Sequence, residues 1–368
     1  MTPRAFLRIF TMLVVYNTLV FYIGWNGLLW LTTIFPNLEA IFYWIAIYVW
    51  AYAYVLTRFI QGSLIKIIGA YWIAVVQYSI IILPITNLVT VVLLLMTYNR
   101  DQLIFWIGTI VFSIYILIFT YGSYNAYSPV VRKYQISVPK NGGNYKKLRI
   151  AVASDMHFGN LSGRSHLRRL VDQVNHIKPD LVLLPGDIID DDPKPFIEKK
   201  MSKMMKEMHA PLGIFGVLGN HEYYGRAIPL FVNEMAKQHI KILMDEVVLI
   251  DDSFYLVGRK DKTDRNRLSI SKLMETIDQS KPIILLDHQP YELGQAMDNH
   301  VDISLSGHTH RGQMAPNHVI TKRMYELDWG YKQKEQLHAF VSSGFGFWGP
   351  PLRIGSRSEI LQIDISFE

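Results

Sequence analysis

Charge is nearly absent from the first third of this chain. Residues 1–121 hold five basic residues (Arg4, Arg8, Arg58, Lys66, Arg100) and two acids (Glu39, Asp101). The whole chain has 37 Lys/Arg and 31 Asp/Glu, so 32 and 29 of them fall in residues 122–368. A bilayer-spanning helix takes about 20 mostly apolar residues. Four such runs are visible, near 10–31, 40–56, 67–98 and 103–121. The first domain, 1–121, is therefore expected to be an all-α four-helix transmembrane domain. The third run is longer than a span requires and contains Pro84, which predicts a kink or a strong tilt. The first run is too long for a signal-peptide core and no small-residue cleavage site follows, so it reads as an uncleaved span.

Basic residues near the spans set orientation. Arg4 and Arg8 precede the first span, and Arg58 and Lys66 lie in the second loop. Arg132, Lys133, Lys140, Lys146, Lys147 and Arg149 follow the fourth span, with no acid between Tyr121 and Arg149. The first loop has no basic residue, and the third has Arg100 beside Asp101. Four spans then place both ends of the chain in the cytoplasm, making this a multi-pass cell-membrane protein with its large domain inside. Were the third run two passes, that domain would lie outside. Residues 122–147 read as a basic juxtamembrane linker, lying on anionic lipid head groups or solvated and leading into the first strand.

From residue 148 the pattern changes to short apolar runs separated by Gly, Asp and Asn. Strands are expected at 148–153, 180–184, 214–218, 247–250, 254–257, 283–286, 301–305, 338–342 and 359–365. Leu167, Leu170, Val171, Val174 and Ile177 recur at helical spacing. Residues 196–208 predict a helix whose Met201, Met204, Met205 and Met208 form a packing or membrane-facing side. The chain has no cysteine, which excludes disulfides and thiolate metal sites. All twelve histidines lie in this second part.

Several strands end in a turn that carries metal-type ligands: Asp155 and His157, Asp187, Asn220 and His221, His288, and His308 with His310. In open α/β sheets, ligands bind at the carboxyl ends of strands. Along Gly307-His308-Thr309-His310, an extended backbone would aim both rings at one point, and Gly307 would allow a tight turn. Oxygen and imidazole donors without sulfur suit Mn²⁺, Fe or Zn²⁺ better than Ca²⁺ or Mg²⁺ alone. The ligand count exceeds what one ion needs, and two divalent ions sharing a carboxylate account for it. Such a pair suits phosphoester hydrolysis.

Asp155-Met156-His157, Gly186-Asp187-Ile188-Ile189-Asp190, Gly219-Asn220-His221-Glu222, His288 and Gly307-His308-Thr309-His310 resemble, in order, the five signature blocks of the calcineurin-like metallophosphoesterases. Gly312-Gln313 and the segments 342–346 and 350–353 are similar to the membrane-anchored bacterial YkuE/YaeI-like type. The resemblance covers residues 148–368. It implies an α/β metallophosphoesterase domain built as an α/β/β/α four-layer sandwich. It implies Asp155, His157 and His310 on a first metal, Asn220, His288 and His308 on a second, and Asp187 bridging both. It implies that a metal-bridging hydroxide attacks phosphorus and that catalytic His221 donates a proton to the leaving oxygen; Asp190 is expected to orient a ligand by hydrogen bond. Arg311 departs from the glycine usual in these relatives, and Gly258-Arg259-Lys260-Asp261 from a more acidic stretch.

The expected activity is hydrolysis of a phosphomonoester, phosphodiester or pyrophosphate bond. The membrane domain points to contact with membrane lipids and to a lipid-linked or envelope-related substrate, and no nucleic-acid-binding pattern is present. Arg311 and Arg353 are candidate phosphate clamps. Each short motif alone has a plainer reading as a turn or a helix cap, and it is their conjunction that carries the site. The rival class is non-enzymatic, a metal-stabilised membrane scaffold or regulatory domain, which lost ligands would favour.

Overall fold

The computed structural model describes residues 2–56 and 63–368. Two compact units emerge, Met1–Tyr121 and Gly122–Glu368. The first holds α1 (Pro3–Ile34), α2 (Ala40–Leu56), α3 (Ser63–Leu95) and most of α4 (Arg100–Tyr127). Thr2 caps α1, its hydroxyl accepting from the Ala5 N–H, and Pro3 opens the first turn without wasting a donor. Val20, Ala51 and Trp72 are buried between helices, while large apolar side chains such as Phe6, Phe42 and Leu117 face outward.

Among the described residues, α1, α3 and α4 are long and apolar enough to cross a membrane. The second expected span, α2, has 17 residues. At 1.5 Å per residue it measures about 26 Å, short of a hydrocarbon core of ~30 Å. The long third run is one helix through Pro84 and so one pass. Lys66, expected in a loop, lies in the first turn of α3, and Arg58 lies outside the described residues.

The second unit stacks two six-stranded mixed sheets between layers of helices. The first sheet runs β1 (Val130–Val138), β12 (Glu359–Phe367), β2 (Lys147–Val152), β3 (Leu181–Pro185), β4 (Ile214–Val217), β5 (Ile240–Ile242). The second runs β10 (Gly330–Lys334), β11 (Leu337–Val341), β9 (Ile303–Ser306), β8 (Ile283–Leu286), β7 (Phe254–Gly258), β6 (Glu246–Ile250). Central strands are parallel and apolar on both faces, as covered sheets must be. Leu181 and Leu183 of β3 point to the core between the sheets, as do Ile284 and Leu286 of β8. The alternate residues Val182 and Leu184 meet helices α5 (Arg164–Ile177), α6 (Lys194–Glu198), α7 (Met201–Met205) and α9 (Ile228–Ala236). On the far side, Ile283 and Leu285 meet α10 (Ile270–Met274) and α11 (Leu293–Asp298). The order of layers is α/β/β/α. Two further helices, α8 (Asn220–Tyr224) and α12 (His318–Met324), complete the unit.

Three expectations change. The basic linker forms a strand: β1 pairs in parallel with β12 along its length. Arg132, Lys140 and Arg149 are paired with Glu359, Asp302 and Asp364. The helix over 196–208 is two short helices broken at Lys200, whose φ is +53°. Its methionines pack into the core beside α5.

Candidate metal centre

Five strands of the two sheets deliver the expected ligands. β2 leads to Asp155 and His157, β3 to Asp187, β4 to Asn220 and His221, β8 to His288, and β9 to His308 and His310. The loops are tied to one another: Asp155 N–H donates to Gly186, His157 N–H to Asp187 and Gly307 N–H to His288. Asp155, His157, Asp187, His308 and His310 all have φ between +45° and +70°. Left-handed backbone at non-glycine residues costs about 1–3 kcal/mol each, and such strain clusters at functional sites.

The donor atoms converge. Asp155, His157 and His310 offer atoms within 4.8 Å of one another, as do His157, Asp187 and His221, and also Asp187, His288 and His308. Asp187 and His157 thus link neighbouring clusters. His157 Nε2 lies 3.1 Å from His310 Nε2. His310 Nε2 lies 3.5 Å from Asp155 Oδ1. His308 Nδ1 is 2.9 Å from Asn220 Oδ1. His288 Nε2 sits 3.1 Å from Asp187 Oδ2, yet off-axis, since that buried nitrogen has no hydrogen-bond partner. Its Nδ1 is anchored 2.8 Å from the Pro185 carbonyl, which accepts its proton and turns Nε2 inward.

Electrostatics favour a cation. Burial pushes His157 and His308 down to about 4, and His310 well below its usual value, so these rings are neutral with lone pairs to offer. Burial raises Asp155 to about 6. Burial also works against the charged form of Asp187, but His288, His157 and His221 hold it well below the usual carboxylate range. Converging imidazole nitrogens, two buried carboxylates and an orphaned ring nitrogen fit a divalent-metal centre.

Sequence comparison agrees. The calcineurin-like phosphoesterase family model matches residues 148–312. A Danio rerio transmembrane protein with a metallophosphoesterase domain is 33% identical, covering 66% of this chain and 59% of that protein. An uncharacterized metallophosphoesterase of Campylobacter jejuni is 32% identical over 73% of this chain and 72% of its own length. One from Aquifex aeolicus is 30% identical, with 68% of this chain matching 97% of it. The chain belongs to the calcineurin-like phosphoesterase family. It spans 59% of the length of the Danio rerio relative.

Within this calcineurin-like site, several expectations need correcting. The backbone at His308 and His310 is not extended, and the two rings do not aim at one point. His308 turns to Asn220 and His310 to His157 and Asp155. Gly307 is needed for space rather than for a turn. A Cβ there would lie 2.1 Å from Asp155 Oδ2. Gly219 is equivalent, its Cβ falling 2.1 Å from Asp187 Oδ1.

His221 takes Asp191 as its partner, with Nδ1 and Oδ1 2.7 Å apart. Asp191 has φ +53°, which swings its carboxylate toward the ring. Burial lowers the His221 pKa, but Asp191 and Asp187 outweigh it and raise the ring to about 8. Glu222 was also missed. Its buried carboxylate accepts from the N–H groups of Gly219, Asp187 and Ile189, joining the loops after β3 and β4. The Gly-Asn-His-Glu spacing was the available signal for it, as a capping acid three residues after Gly219.

Arg353 is not an open phosphate clamp by its contacts. Arg353 is fully buried; it donates to the Gly346 carbonyl and Ser356 Oγ, and its Nη2 lies 3.3 Å from His310 Nδ1. Burial pulls its pKa down to about 10. Arg311 is half-buried and lies 4.0 Å over the Trp329 ring.

Proposed function

We propose that this chain is a membrane-anchored phosphoesterase that hydrolyses a phosphomonoester, phosphodiester or pyrophosphate bond at a centre of two divalent ions. The observation that carries the reading is that the donor clusters Asp155–His157–His310 and Asp187–His288–His308 lie side by side, linked by the group His157–Asp187–His221. Asp155, His157 and His310 would hold one ion; Asn220, His288 and His308 the other; Asp187 would bridge. Ions bound there supply Lewis-acid charge for phosphoryl oxygens and a water nucleophilic near neutral pH.

The chain's own residues supply the proton. With Nδ1–H donated to Asp191, His221 would present Nε2–H to the site; burial works against the charged ring, and the Asp191 carboxylate favours it. Delivered to the departing oxygen, that proton is worth about 10²–10⁴-fold in rate. Manganese, zinc and iron all suit the donor set. The membrane unit favours a lipid-linked or envelope substrate, and the basic ends of that unit favour a cytoplasmic site.

The test uses the full chain in detergent. Bound metal is measured, and hydrolysis of aryl phosphate mono- and diesters is followed with added Mn²⁺. His221→Ala should keep its metal and lose about 10²–10⁴-fold in kcat, with Asp191→Asn falling between it and wild type. A wild type with neither metal nor turnover would overturn the reading.

A further inference from the structure

Two large aromatic side chains stand in solvent beside His221. Trp348 is 59% exposed, and its ring centre lies 6.4 Å from that of the histidine. Tyr224 is also 59% exposed, at 5.6 Å. Leaving a large apolar side chain in water forgoes the free energy of its burial.

A loose loop does not explain the exposure. Trp348 N–H donates to Gln313 Oε1 at 2.9 Å, and Gln313 Nε2 donates back to the carbonyls of Trp348 and Pro350 at 2.9 and 3.1 Å. Gln313 is buried and lies three residues beyond His310. Phe347, immediately before, is buried against Tyr127 and His166. The loop therefore turns one aromatic inward and fixes the next at the mouth of the site. Tyr224 is the last residue of α8, whose first two residues are Asn220 and His221.

We propose that Tyr224 and Trp348 form a platform for the leaving group, so that the released alcohol carries an apolar face next to its phosphoester oxygen. This rests on the phosphoesterase reading with His221 as proton donor. A general acid stands within hydrogen-bond reach of the oxygen it protonates. Side chains whose ring centres lie 5.6 and 6.4 Å from that acid then reach the first carbons of the departing alcohol. The other flank of His221 is taken by the Asp191 carboxylate, which repels an anionic leaving group. An aromatic ring can stack on the platform and an alkyl chain can lie across it; the two share the apolar face that recognition requires.

The experiment uses the full chain with metal and three phosphodiesters that share one phosphoryl half. Their leaving alcohols, ethyl, hexyl and benzyl, have similar acidity. Wild type should favour the hexyl or benzyl ester over ethyl by about tenfold in kcat/KM, the size of one good apolar contact. Benzyl leading identifies a ring, and hexyl leading a chain. Trp348→Ala and Tyr224→Ala should each depress the favoured ester about tenfold more than the ethyl ester, mainly through KM. Trp348→Phe should recover most of that loss. Equal kcat/KM across the series, or equal losses on all three esters in the alanine variants, would overturn the platform and leave the phosphoesterase reading standing. No turnover of these three esters, together with none of aryl phosphate mono- and diesters and no bound metal, would overturn both.

Discussion

His166 is held uncharged inside the second unit. Its ring stacks on Phe345 at 4.3 Å and meets Tyr127 edge-on at 5.5 Å. Nε2–H donates to the Phe345 carbonyl at 3.1 Å, and burial pulls the pKa down to about 4. The folded state therefore binds fewer protons at this ring than the unfolded chain, whose histidine titrates near 6.5. The sign follows from linkage: the contribution is intact above ~6.5 and is lost as pH falls toward ~4, by up to ~3 kcal/mol. His166→Phe should flatten the fall in stability between pH 7 and 4.5, read from thermal melts of the two proteins. The Phe345 carbonyl keeps a partner in that variant, because Ser358 Oγ also donates to it. An unchanged pH slope would contradict this. The same ring marks a limit of sequence reading. His166 sits one residue before Leu167, and nothing in its sequence neighbours foretells an aromatic cage assembled from residues 127, 345 and 347. Ligand-type residues were legible because their chemistry is written in residue type and strand-end position. Asp191 and Glu222 were not, because the reach of a carboxylate depends on the direction its loop takes.

At the scale of elements, the ligand loops leave no spare room. Gly307 follows β9, and a methyl group there meets Asp155 Oδ2 at 2.1 Å and Ser154 Oγ at 2.5 Å. Neither side can yield freely. His308 N–H donates to Asp155 Oδ1 at 2.8 Å, and Gly307 N–H donates to the His288 carbonyl at 3.0 Å. Gly307→Ala should displace Asp155 and lower metal affinity at least tenfold, with about 1–3 kcal/mol of overpacking cost. Metal titration followed by calorimetry checks it, and unchanged affinity would mean the loop after β9 shifts bodily. The strands around these loops were legible where both faces are apolar. The three that went unread, β1, β5 and β10, are all sheet edges. Edge strands carry polar and charged side chains that guard against further pairing, so Val130–Val138 reads as a basic linker and Gly330–Lys334 as a loop. Residues 196–208 misled for another reason. Met spacing fixed the buried side, but the backbone reversal at Lys200 left no mark in composition.

For the whole molecule, the side of the membrane turns on α2. With α1, α3 and α4 crossing, the number of passes is odd or even according to that 17-residue helix alone. Its length of about 26 Å is at the low end for a span, so geometry leaves the parity open and charge decides it. Arg4 and Arg8 precede α1, while Lys133, Lys146 and Lys147 are exposed beyond α4. An odd count would force one of these basic ends across the membrane, against the positive-inside bias, whereas an even count keeps both in the cytoplasm. Local thinning of the bilayer around a short helix costs only fractions of a kcal/mol per Å, less than the ~1 kcal/mol that each basic residue gains near an anionic leaflet. We therefore expect α2 to cross. Arg132, Lys140 and Arg149 add little to this balance, since carboxylates already hold them. A reporter active only in the cytoplasm, fused after Glu368, should be active, and the same reporter placed between α1 and α2 should be inactive. An inactive fusion after Glu368 would place the phosphoesterase unit outside and redirect the substrate search to the envelope. Activity at both sites would remove α2 from the spans and put the N-terminal arginines on the far side.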